Sequence, residues 1–523
     1  MLKLLARLAW MLCLIGFWNA TTEAAGPKAT PHPRLGINLS GPVDWSSELP
    51  FVDVFRLSRT WVGNQKGLPW GKGPAPVLDA SGWVTSLQTD AWAESPICTI
   101  EGGHYPSGTY TVLYHGKGTV ILTGAAKVIS TSPGRVLASV DSKKGGMFVR
   151  VLATDPQDPV RDIRVITPGH ESTYATNPWN PNLISRWQGV ACVRFMDMMM
   201  TNDSDVVSWN DRPKLTDATF SKRGGVAPEL LIDLANRLKA DAWFCIPHLA
   251  DDGYVHKLAK MIKQKLDPSL KAYIEYSNEV WNSQFQQHKD AGAKGQAMGL
   301  ATKPWEAAWK YTGYRSSQIF QIFEKEFGST TRLVRVIPSQ IVNPYISEQI
   351  LTSNNAAKHA DVLAVAPYLG LSVSPNTKPT SDQVTTWTVD RLLDHVEKVV
   401  LPDAISAVKA QKIVADRYGL KLVSYESGQH LVGVLGAENN KVLTALFQQA
   451  NAHPRMGKIY EKYYSEWAAA GGDLICHFSS VKEWSKWGSW GLLQYDDDNP
   501  TLSPKFMATM KWAKAQGQNV NVP

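Results

Sequence analysis

Short apolar runs, each followed by a stretch of helical periodicity, recur along most of this chain. They fall at residues 190–196, 242–248, 272–279, 333–337, 361–368, 422–426 and 473–478. Runs this uniformly apolar are buried on both faces, as the strands of a parallel sheet are when helices cover it. The intervening sequence supplies those helices. Leu230, Leu231, Leu234 and Leu238 follow Pro228 at helical spacing, and Val255, Leu258, Ile262 and Leu266 repeat the pattern. With residues 35–39 as the first run the units number eight, which predicts an α/β fold, a (β/α)8 TIM barrel. Residues 51–61 are expected to form the helix behind the first strand.

The barrel pattern is interrupted early. From about residue 67, Gly, Pro and Thr rise, and short alternating runs appear at 109–114, 120–122, 136–138, 147–152 and 163–166, separated by turn sequences such as Ser132-Pro133-Gly134. This spacing predicts an inserted antiparallel β-sandwich domain after the first barrel strand and helix. The expected organisation is a signal peptide at 1–24, a first barrel unit at 25–66, the sandwich at 67–172 and the remainder of the catalytic barrel at 173–523.

In such a barrel, chemistry sits at the C-terminal strand ends. Here those ends carry Arg194, His248, Asn278, Glu279, Tyr368 and Glu426. The segment AYIEYSNEVWN, residues 272–282, reads as a strand whose alternation places Glu275, Ser277 and Glu279 on one face. Carboxylates on an apolar strand are costly to bury unless something uses them. Glu279 and Glu426, 147 positions apart, are the pair a glycosidase needs, one as proton donor and one as nucleophile. Glu275, deeper on the strand, is expected to pair with Arg194 or sit in the barrel core.

These features resemble clan A of the glycoside hydrolases, retaining enzymes on a (β/α)8 barrel. The likeness rests on Asn278-Glu279 ending the fourth strand, Glu426 ending the seventh, Arg194, Tyr368 and a Trp-rich stretch after the eighth, and it spans residues 34–62 and 185–515. Val280 stands where many members carry Pro, which leaves the family within the clan open. The resemblance implies Glu279 as acid/base, Glu426 as nucleophile, Asn278 as ligand of the sugar 2-hydroxyl, and Arg194 and Tyr368 as groups that hold Glu426 ionised. It implies a polysaccharide substrate cleaved within the chain, β-glucan first among the candidates, with no cofactor and no metal.

Twenty Trp residues suit a protein that stacks sugar rings. Trp484, Trp487 and Trp490 recur among Gly and Ser in a loop, and Trp484 is the expected stacking floor. Trp281 and Asn282 are expected at the mouth beside Glu279, with Trp209 and Arg212 widening the cleft. His248, at a strand end, is expected as a substrate contact, with a core role as the alternative. With Asp251 and Asp252 it forms the alternative of a metal-dependent hydrolase, although adjacent Asp residues more often cap a helix. A further alternative is a catalytically inactive carbohydrate-binding or cell-surface protein on a barrel scaffold.

Lys3 and Arg7, an apolar run at 8–17 and the small residues near Ala24 read as a secretory leader, so a secreted protein, extracellular or periplasmic, with no membrane attachment after cleavage is expected. The remaining chain keeps a net charge of +6 without a Lys/Arg cluster, which argues against nucleic acid. It keeps Cys98, Cys192, Cys245 and Cys476, too few for a disulfide framework and expected as buried thiols. Oligomeric state is not legible.

Overall fold

The computed structural model describes residues 32–523; the expected leader lies outside them. Eight parallel strands close into a barrel: β1 (Arg34–Asn38), β2 (Cys192–Arg194), β3 (Asp241–Ile246), β4 (Ala272–Tyr276), β5 (Leu333–Pro338), β6 (Val362–Val365), β7 (Lys421–Ser424) and β8 (Gly472–His477). The ring is completed where Arg34 in β1 lies opposite Leu474 in β8. Helices such as Pro228–Leu238, Asp252–Lys265, Pro304–Phe327 and Pro504–Ala515 cover the outside. Each begins with Pro in its first turn or with an Asp cap, so orphan amide donors are avoided or satisfied.

Alternate strand residues fill the barrel interior. Cys192, Trp243, Cys245, Tyr273, Val336, Ala364, Val423, Leu474 and Cys476 form a buried cluster separate from the core under the helices. Gly36 in β1 belongs to this packing, because a Cβ there would come within 2.5 Å of Cys476 Sγ. All four cysteines of the described residues are free and buried. Among the described residues no helix is long and apolar enough to cross a membrane.

Two four-stranded antiparallel sheets lie between Val62 and Ile166. They interrupt the first barrel unit differently from the sequence expectation. Residues 51–61 hold one 3-10 turn, Val54–Leu57, rather than a helix. Phe51 and Asp53 make isolated bridges to Trp179 and Ile166 instead, so this segment is tied to the end of the second sheet in extended form. The helix of the first unit is Pro181–Trp187, after the sheets. The interruption therefore falls inside the loop that leaves β1.

Beyond the rim, the chain after β6 and the chain after β7 continue side by side, with Leu369–Val373 parallel to Gln429–Gly433. This short pair fixes the two loops that bear Tyr368 and Glu426. Gly428 allows the turn between β7 and its extension: its φ is +121°, and a Cβ would meet the His477 ring at 2.6 Å.

Candidate active site

The site is assembled around Arg194, the last residue of β2 and fully buried. A guanidinium has five N–H donors, and all five find acceptors here. Nε and one Nη2 proton bond Glu275 at 3.0 and 3.2 Å; the other Nη2 proton bonds Asn278 Oδ1 at 2.8 Å; Nη1 donates to Glu426 Oε1 at 2.8 Å and to Asn38 Oδ1 at 3.2 Å. Glu275 is further held by the Trp243 indole at 2.8 Å. Both outcomes considered for Arg194, core ion pair and contact with Glu426, therefore occur together.

Glu426 lies two residues past the end of β7 and is 6% exposed. The Tyr368 hydroxyl donates to its Oε2 at 2.9 Å, so each oxygen has a donor. Burial raises its pKa, whereas Arg194 and Tyr368 pull it down.

Glu279 comes to the site by a different route from the strand alternation expected. β4 ends at Tyr276, and Ser277 and Glu279 take left-handed backbone angles, φ 58° and 43°. Such angles are uncommon for residues with a Cβ; here they swing Glu279 out of the strand and over the rim. Its Oε1 accepts from the Tyr425 hydroxyl at 3.1 Å and its Oε2 from Asn282 Nδ2 at 3.0 Å. Burial, and then the charge of Glu426, raise its pKa to about 7. The cation contacts Glu426 directly, so of the two groups Glu426 is the one that holds negative charge while Glu279 keeps a proton.

The remaining expected residues divide. Asn278 is 2% exposed, between Arg194 and Asn202, whose Oδ1 accepts from Asn278 Nδ2 at 3.0 Å. Asn282 contacts Glu279, and Trp281 lies beside Tyr425. His248 is 2% exposed with Nε2 2.8 Å from Asp290, and burial lowers its pKa. Asp251 caps the helix Asp252–Lys265, and Asp252 pairs with Arg315, so neither joins His248 as a metal ligand. Among the described residues no group of three His, Cys, Asp or Glu side chains is arranged to hold a metal. Trp209 packs edge-on against Tyr254 of the helix Asp252–Lys265 and under Arg212 of its own loop. Trp484 bonds Gly491 within its own loop, with Lys505 Nζ 4.5 Å from its ring. Trp490 approaches the site through His430, which lies 5.2 Å from it and 6.1 Å from Tyr368.

Tyr425 and Asn202 escaped the sequence reading. Strand periodicity pointed Tyr425 into the barrel, where it reads as core. Asn202 lies in an irregular loop, and nothing local marks it.

No family model and no curated protein matches the sequence. Solved structures resembling the fold include a GH51 arabinofuranosidase from Xanthomonas axonopodis pv. citri, at 12% identity and TM-score 0.42, covering 65% of this chain and 66% of that one. A 4-O-alpha-L-rhamnosyl-beta-D-glucuronidase from Fusarium oxysporum 12S matches at 11% identity and TM-score 0.37, covering 63% of each chain. A GH5-4 broad specificity endoglucanase from Clostridium acetobutylicum matches at 12% and TM-score 0.36, covering 66% of this chain and 93% of that one. This chain thus spans less than two thirds of the length of the first two.

Proposed function

We propose that the protein is a retaining glycoside hydrolase that cleaves β-linked polysaccharide, β-glucan first, by double displacement. The observation that supports this most directly is the division of labour between the two glutamates: Arg194 and Tyr368 donate to Glu426, whereas Glu279 has no cation in contact and a pKa raised to about 7.

In the first step Glu279 gives its proton to the glycosidic oxygen as that C–O bond breaks, and a Glu426 oxygen bonds the anomeric carbon. The ester has no charge on Glu426, so Glu279, now ionised, takes a proton from water as the water oxygen displaces Glu426. In this reading Asn278, held by Arg194 and Asn202, binds the sugar 2-hydroxyl. Asn282 and Tyr425 keep the Glu279 carboxyl facing the leaving group. In the same reading the chain is exported by its leader, and the two antiparallel sheets form an inserted sandwich. Its start then moves from residue 67 to Val62, because Val62–Gln65 pairs with Ala91–Ile97.

The test is turnover of β-glucan, with xylan and mannan beside it. Glu279→Gln and Glu426→Gln should each lower it at least about a thousandfold, azide should restore Glu426→Gly, and the first-formed product should keep the β-anomer. Wild-type rates in both Gln variants would end the assignment. Glycan binding without release of reducing ends would point to the inactive binding protein instead.

A further inference from the structure

A cavity of about 510 Å³ lies at the same end of the barrel as the glutamates, lined by the loops after β1, β2 and β8. Two of its lining residues reach the site. Asn202 bonds Asn278, and Asp197 is close enough to Glu426 to act on its charge. Lys482 lies 5.1 Å from the Phe478 ring and 5.2 Å from that of Trp490.

Two large indoles line this cavity, one from each of the loops after the adjacent strands β1 and β8. Trp45 is 55% exposed and Trp487 is 56% exposed. Single exposed apolar side chains need no explanation; two on one groove offer the kind of apolar platform that sugar faces use. The charges of the lining are balanced toward the acidic side. Lys482 has Asp197 at 3.9 Å, and Glu483 lines the same cavity. Ser46, Ser47, Thr201 and Ser485 supply hydroxyls. The lining itself thus offers a carboxylated or sulfated sugar no unpaired cation, and Lys486, 4.7 Å from the Trp487 ring, is turned to Asn439 Oδ1 at 2.8 Å.

The Trp45 wall is held from outside the barrel. Asp44 is buried and receives Arg59 Nε at 3.0 Å, Arg59 Nη2 at 2.8 Å and the Thr99 hydroxyl at 2.6 Å. The Thr99 amide donates to the Asp44 carbonyl at 2.8 Å. Arg59 lies 5.4 Å over the Trp45 ring, and its own amide is bonded to Pro96 at 3.0 Å, within the sheet strand Ala91–Ile97. The other wall has its own anchor: the buried Lys505 donates to the Ser489 carbonyl at 2.6 Å, under the loop that carries Trp487.

We infer that this groove is a subsite for further sugars of a neutral polysaccharide, clamped between Trp45 and Trp487, and that the interrupting sheets serve to fix the Trp45 wall through Asp44, Arg59 and Thr99. The inference rests on the glycosidase reading and deepens it.

The test uses calorimetric binding to the full chain carrying Glu279→Gln, so that turnover is not needed. Neutral gluco-, xylo- and manno-oligosaccharides, trisaccharide against hexasaccharide, are the probes. The hexasaccharide of one series should bind at least about tenfold more tightly than its trisaccharide. Trp45→Ala and Trp487→Ala should each remove most of that gain. Arg59→Gln and Thr99→Val should remove part of it, and neither should add to Trp45→Ala in a double-mutant cycle. An unaltered length gain in both Trp variants overturns the subsite, as does the absence of any gain in all three series. Additivity of Arg59→Gln with Trp45→Ala overturns the role of the sheets. Tighter binding of a uronate-bearing oligosaccharide overturns the neutral specificity. Failure of the glycosidase reading is registered separately, as absence of turnover by the wild-type chain.

Discussion

The Tyr425 hydroxyl donates to Glu279 Oε1 across 3.1 Å, although Tyr425 immediately precedes Glu426 in the chain. One short segment thus carries one carboxyl and holds the other. The bond favours the ionised form of Glu279, opposing burial and the charge of Glu426. Removing it should raise the pKa of the acid. In Tyr425→Phe the alkaline limb of kcat/KM, which reports loss of the acid's proton, should move upward by about one pH unit. The check is a pH–rate profile of both proteins on the same glycan. A limb that stays in place would remove Tyr425 from control of the acid.

Tyr368 acts on the other carboxyl. Its hydroxyl lies 2.9 Å from Glu426 Oε2, and truncating it leaves that oxygen without a protein donor. Tyr368→Phe should lower kcat about ten- to a hundredfold. Slower ester formation should make the first displacement rate-limiting, seen as loss of any burst with an activated aryl glycoside. An unchanged kcat would leave Tyr368 as a packing residue.

The barrel was legible because its signal is repeated. Each apolar run marks a strand, and errors of a residue or two at the ends leave the count intact. The pairing of Glu275 with Arg194 was legible as well, since both lie on strands with a regular face. Positions that depend on backbone leaving the strand were not. Ser277 and Glu279 turn through left-handed angles, which no alternation describes. The segment at 51–61 has enough apolar residues for a helix, but its extended start is fixed by Trp179 and Ile166, more than a hundred positions away. Trp484 and Trp490 have the same local surroundings; their difference comes from His430 on a neighbouring loop.

Arg194 balances two buried carboxylates, Glu275 and Glu426, with every donor used. Replacing it with Met leaves both without their cation. The expected loss of stability at neutral pH is about 3–5 kcal/mol, read as a fall in denaturant midpoint with unchanged slope. Protonation relieves uncompensated carboxylates, so the deficit should shrink as pH falls toward 5. A deficit independent of pH would point to lost packing instead.

Glu48 offers a test of stability apart from Glu279 and Glu426. It is buried beneath the loops that wall the groove, accepting from the Ser40 amide and the Ser480 hydroxyl, both at 2.7 Å, while its Oε1 has no partner. Burial raises its pKa from 4.5 to about 7. In the unfolded chain Glu48 loses its proton near its ordinary value, whereas the folded chain retains it until about pH 7. The folded state therefore binds more protons between those limits, and this group's contribution to stability falls as pH rises through that window. The contribution lost is on the order of 3 kcal/mol. Glu48→Gln has no proton to lose, so its stability, relative to wild type, should rise from pH 4.5 to 7.5. Chemical denaturation of both proteins across this range is the measurement. Parallel pH curves would show that Glu48 ionises in the folded protein as it does in the unfolded chain.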